Sequence, residues 1–115
     1  DSTEITNPVM TVYDDKLPPW VIVAESGWMS GDGDLLMLLG EVQMDRSGTE
    51  TARPVHIDTH DLRVQPNDDW AETEREVFIT TLDDRMKGVG MRALFSKPIR
   101  FQLLSKVQSH YANKP

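Results

Sequence analysis

Apolar residues in this chain recur at every second position, and turn-forming residues cut the alternation every 8 to 14 positions. A side chain that changes face at each residue marks an extended strand, whereas a helix needs its apolar residues three and four apart. Helical spacing is scarce here, so the pattern predicts an all-β chain. The first run covers residues 8–13 and stops at Asp14-Asp15-Lys16. The second follows Pro18-Pro19 and sets Trp20, Ile22 and Ala24 on one face. Gly31-Asp32-Gly33-Asp34 then supplies residues that tolerate positive φ, as a tight hairpin requires. The third run, 35–44, is apolar on both faces before it settles into Val42 and Met44 against Glu41 and Gln43.

After Arg46-Ser47-Gly48-Thr49 comes a fourth run, 55–65, with Leu62 and Val64 opposite Asp61, Arg63 and Gln65. Pro66-Asn67-Asp68-Asp69 ends it, and a fifth run over 71–82 leads to a turn at Asp83-Asp84. The sixth, 86–95, contains Gly88 and Gly90, and Pro98 opens the last, 99–111. Ser105, Ser109 and the β-branched Val107 keep that end a strand, since no helix cap is present. The expectation is seven strands of about 10 residues, roughly 33 Å each. Turn-linked in succession, they pair as an antiparallel meander, either as two facing sheets or as one folded sheet. Glycine inside a strand commonly marks a bulge or bend, so Gly40, Gly88 and Gly90 are candidate bends.

At 115 residues the chain is expected to form one domain, 1–115, with a modest core. Its 38% hydrophobic content and mean hydropathy of -0.45 suit a soluble fold. A net charge of -7 speaks against nucleic acid as a partner, and against binding an anionic membrane by charge. Without cysteine there is no disulfide and no thiolate metal site. The longest apolar run, 35–39, is far short of the roughly 20 residues that span a bilayer. No signal peptide opens the chain, and a start at Asp1 without methionine suggests a piece of a longer protein.

Chemical motifs are few. The acidic pairs Asp14-Asp15, Asp68-Asp69 and Asp83-Asp84 all fall in turns, where carboxyls rarely acquire the split pKa values of acid–base catalysis. No nucleophile elbow, zinc-helix motif or phosphate loop occurs, so catalytic residues are expected to be none and cofactors none. His56, Asp58 and His60 share one strand face, a spacing that suits a metal, although a solvated polar stripe gives the same pattern. The expectation is no metal.

The runs also resemble a family. Residues 8–14, Pro-Val-Met-Thr-Val-Tyr-Asp, followed by Pro19-Trp20-Val21-Ile22-Val23-Ala24, resemble the opening of LptC proteins. Leu38-Leu39-Gly40-Glu41-Val42 is similar to the family's L-x-G-x-V strand, and residues 57–64 to its next strand. Glu76-Val77-Phe78-Ile79 with Gly88-Val89-Gly90-Met91, and Leu103-Leu104-Ser105-Lys106-Val107 ending at Tyr111, resemble the rest. His60 stands where the family often has Asp, and Gln108-Ser109-His110 where it often has Arg-Gly.

The resemblance implies a twisted antiparallel β-jelly-roll of the OstA/LptA type, a V-shaped open sandwich on the periplasmic face of a Gram-negative inner membrane. It also implies an N-terminal membrane helix and first strands lying outside this sequence. The implied partners are lipopolysaccharide, the inner-membrane ABC transporter (LptB, LptF and LptG) and a soluble LptA-like periplasmic carrier; a homodimer is left open. An inward aliphatic stripe would hold acyl chains: Ile5, Met10, Val12, Trp20, Ile22, Leu36, Leu38, Val42, Met44, Ile57, Leu62, Val64, Ile79, Met91, Phe101 and Leu103. The same stripe is also what ordinary sandwich core looks like. Six methionines suit a surface that adapts to sliding chains. The last strand, with Ile99, Arg100, Phe101, Lys106 and Tyr111, is the expected docking edge for another protein's strand. Two other functions stay in view: a scaffold that binds no lipid, and a small metal enzyme using His56 and His60.

Overall fold

Eight strands form a single antiparallel sheet in the computed structural model, which describes residues 2–96 and 98–111. They are β1 (Thr3–Thr6), β2 (Val9–Val12), β3 (Trp20–Met29), β4 (Leu36–Arg46), β5 (Val55–Gln65), β6 (Trp70–Thr80), β7 (Asp84–Leu94) and β8 (Arg100–Tyr111). From β3 to β8 each strand pairs with the next, the meander that the turn spacing predicts. β1 is an addition to that reading, because Thr3–Thr6 is too short and polar to show an alternation. β1 and β2 both pair with β3, one along each half of it, so they are two pieces of one broken edge strand.

The turns follow their sequence chemistry. At the β3–β4 hairpin Gly33 takes φ +77° and donates to the Ser30 carbonyl. Asp32 accepts from the Ser30 hydroxyl and from the Asp34 amide. Between β5 and β6 a 3-10 turn, Pro66–Asp68, ends with Asp69 at φ 56°. β7 starts two residues earlier than the alternation suggests. The Thr81 amide bonds the Asp84 carbonyl and the Asp84 amide bonds the Thr81 hydroxyl, which tightens that turn.

Every ladder from β3 to β8 slips by one residue near its middle. The shifts fall between Ala24 and Ser26, Leu38 and Glu41, Asp58 and Arg63, Thr73 and Glu76, and Lys87 and Val89. The break between β1 and β2 lies on the same line, where the Asn7 amide bonds the Glu25 carbonyl. A bulge bends and twists its strand. Five in register, together with that break, crease the whole sheet and turn its two halves toward each other. Gly40 and Gly90 sit on the crease at φ +79° and +81°, and a Cβ on Gly40 would lie 2.9 Å from the Glu25 carboxylate carbon. Asp61 and Lys106 adopt the same left-handed conformation with side chains attached.

A bulge strands backbone groups, and neighbouring side chains take them up. The Asp61 carboxylate accepts from the Gly40 amide and that of Glu25 from the Glu41 amide, both at 2.9 Å. The Thr59 hydroxyl donates to the Glu76 carbonyl at 2.8 Å, and that of Thr73 to the His60 carbonyl at 2.7 Å. Thr59 and Thr73 are the two polar residues among the buried set, each 2% exposed. Ser105 donates likewise to the Val89 carbonyl.

Between the halves lies the core: Ile22, Val42, Met44 and Ile57 from one side of the crease, Leu38, Leu62, Val64 and Met91 from the other. Trp20, at the start of β3, meets Phe101, near the start of β8, with ring centroids 4.7 Å apart. β8 ends the sheet order and β3 lies just inside the opposite β1–β2 edge, so the contact closes the fold across its open side. Thr73→Val is expected to lower stability by about 2 kcal/mol, because the His60 carbonyl and the Arg75 amide both lose a buried partner. The exposed Thr80→Val should leave the urea midpoint unchanged, and equal midpoints for the two variants would show that the crease bonds contribute nothing.

Candidate functional site

All sixteen stripe residues come together on the inner side of the creased sheet. Ten are core: Trp20, Ile22, Leu36, Leu38, Val42, Met44, Ile57, Leu62, Val64 and Met91. The other six, Ile5, Met10, Val12, Ile79, Phe101 and Leu103, are partly buried against that core. The chain's own side chains therefore fill the middle of the trough, and any space for a ligand lies at its ends. Ala24, which the alternation in β3 already sets beside Trp20 and Ile22, completes the core with Ala71, Val77 and Ala93, which alternation within β6 and β7 could have found.

The space opens where β6, β7 and β8 run beyond the core. A cleft of about 430 Å³ is lined by Phe78, Ile79, Met86, Arg85, Lys87 and His110, among others. Phe78, Ile79 and Met86 give it apolar surface, and no carboxylate lines it among the described residues, although the chain as a whole carries 19 acidic residues. Phe78 is 42% exposed, with the Lys87 ammonium 5.6 Å from its ring centre. A second cleft, about 290 Å³, adjoins the first at Thr80 and is lined by Arg46, Val55, His56 and Leu82 with their neighbours.

His56 stands between two carboxylates on the outer face, with Nδ1 2.5 Å from Asp45 and Nε2 2.8 Å from Asp58. A neutral imidazole carries one N–H and can serve only one of them, while the protonated ring donates to both. The Asp45 hydrogen bond, followed by partial burial working the other way and the charges of both carboxylates, raises its pKa above the ordinary 6.5. His60 has no part in this cluster. Among the described residues no group of three or more His, Cys, Asp or Glu side chains is arranged to hold a metal. The i, i+2, i+4 spacing reads instead as an ion-paired outer stripe.

Elsewhere on the outer face Glu72, largely buried, accepts from Arg63 and Arg92, each at 2.8 Å. The acidic pairs sit in turns or at a strand start, and Asp14 caps its own turn by accepting from the Lys16 and Leu17 amides.

On the expected docking edge, Ile99 and Phe101 pack against the core, whereas Arg100 and Lys106 are exposed. Leu104 and Val107, not singled out by the sequence, are 44% and 51% exposed on the same strand. The backbone of Tyr111 pairs with Asp84. Its side chain lies outside the described residues. Among the described residues β8 has β7 on one side and no strand on the other, so its outer row of amides and carbonyls is open to an added strand.

Residues 1–112 match the family model described as "LptC: Lipopolysaccharide-assembly, LptC-related". No curated protein matches the chain. Among the described residues no helix is long and apolar enough to cross a membrane.

The His56 pair of ion contacts makes stability depend on pH with a definite sign. Its folded pKa lies above the unfolded value, so the stabilisation is whole below about pH 6.5 and is lost as pH rises through the raised value. The urea midpoint is expected to fall from pH 6 to pH 8, and by less in His56→Gln. An identical fall in both proteins would assign the effect to other groups.

Proposed function

This chain belongs to the LptC family, whose role is lipopolysaccharide transport, and on that premise we propose that it carries the lipid without chemistry. It takes acyl chains from an inner-membrane ABC transporter (LptB, LptF and LptG in this family) and passes them to a soluble LptA-like carrier docked on β8. The proposal places the domain at the periplasmic face of the inner membrane, tethered by a helix and preceded by strands outside this sequence.

The observation that supports it most is the run of apolar inner face from the packed centre into the open cleft at Ile79 and Met86. Each methylene moved from water into such a surface gains about 0.8 kcal/mol, so even part of an acyl chain is held usefully. A lipid with several chains needs more room than the filled centre leaves. Loading then requires the halves to part, and the seam that yields is Trp20–Phe101, which side chains alone hold together. The crease is the hinge for that motion, because its bulges interrupt the ladders on every strand.

A scaffold that binds no lipid remains the second reading, supported by the unpaired row of β8. Photocrosslinkers separate the two. Placed at Ile79, Phe101 and Leu103, which are partly buried and tolerate a bulky ring, they are expected to capture lipopolysaccharide in cells that make it. Placed at the exposed outer position Val21, the same group should capture none. Capture of protein alone at all four positions would leave the scaffold and remove the carrier.

A further inference from the structure

Arg46 ends the inner row of β4. It follows the buried Val42 and Met44 at the two-residue period, and its register partners are Trp20 and Val55. The guanidinium lies over the Trp20 ring, 5.8 Å from the centroid, and one terminal nitrogen donates to the Arg53 carbonyl. Its Nε is buried and has no hydrogen-bond partner, the one such side-chain atom among the described residues. A buried charged donor without an acceptor is a standing cost, and an acceptor that arrives there recovers it.

The surrounding charges are already committed. Asp45 and Asp58 hold His56, and Arg53 faces Asp84 at 3.4 Å. Arg46 has no carboxylate partner among the described residues, and beside it is the 290 Å³ cleft. Val55, which lines that cleft, also packs against the core, so the cleft joins the end of the trough.

We infer that Arg46 is an anion site at the mouth of the trough, where the guanidinium, seated over Trp20, takes a phosphate whose attached acyl chain enters between the sheet halves. This rests on the carrier reading above and adds to it which chemical group is recognised, and where. A planar guanidinium with a free Nε–H and a terminal N–H presents the paired donors that phosphate oxygens accept. Placing it at the end of the apolar row, rather than within it, matches an amphiphile whose head stays in water while its tail does not.

The test uses the Nε–H signal of Arg46 in nitrogen-resolved proton NMR, with three probes: inorganic phosphate, lysophosphatidic acid and a monoacylglycerol of the same tail. Lysophosphatidic acid is expected to shift the Arg46 signal and to bind roughly tenfold more tightly than the monoacylglycerol. Arg46→Gln should abolish that preference and leave monoacylglycerol binding as it was, while Arg46→Lys, which keeps the charge but not the fork, should retain part of it. Equal binding of the two amphiphiles with a still Nε–H signal overturns the inference and leaves the carrier reading standing. A shift with inorganic phosphate and no preference between the amphiphiles also overturns it, since the site would then serve free phosphate. If neither amphiphile binds, the carrier reading falls and takes the inference with it. Should Arg46→Gln fail to fold, the native chain's preference and NMR shift decide the matter.

Discussion

The architecture depends on a line of β-bulges that crosses the sheet from the β1–β2 break to Lys106. An eight-stranded meander with one apolar face has little to pack against, because the described residues form no α-helix and no second sheet. Bending each strand at the same level lets the sheet cover itself. The bend is possible because left-handed residues stand on the line, and it is stable because side chains from adjacent strands answer the backbone groups that the bulges release. Asp61 illustrates the economy of this arrangement. It takes the unusual conformation, accepts from the Gly40 amide and pairs with Arg75.

Function follows from where the crease leaves space. Near the crease the halves are close and the side chains interlock, which gives Ile22, Val42, Met44 and Leu62 their complete burial. Beyond it, Trp20 and Phe101 meet across the open side. The ends of β6 to β8 carry Ile79 and Met86 at an open cleft. Arg85, Lys87 and His110 line the same cleft from the opposite face of the sheet, in a chain that is acidic overall. A surface that is greasy inside and basic at its rim suits an anionic amphiphile, and the LptC family handles one.

Much of this was legible in the residues. Alternation located seven of the eight strands, and the sixteen stripe positions all face inward, because a strand's period of two leaves little freedom once one face is buried. Glycine within strands pointed to bends, and Gly40 and Gly90 are on the crease. Other features were not legible. β1 lacks apolar residues enough to show a period. Thr59 and Thr73 read as ordinary polar positions, and nothing local says that their hydroxyls point into the core. The shared face of His56, Asp58 and His60 was legible, but spacing along a strand says nothing about Asp45, which comes from β4. Asp45 and Asp58 together occupy both nitrogens of His56.

The sequence by itself determined the strands, their order of pairing and the face each side chain takes, since these depend on local geometry and on short turns between neighbours. Tertiary structure alone decided that the sheet creases along one line, that Trp20 reaches Phe101 across some 80 residues of chain, and that Arg46 ends with a donor unanswered. Those outcomes depend on how five bulges and one break add up in space, and a sum of that kind is visible only when all the strands are placed together.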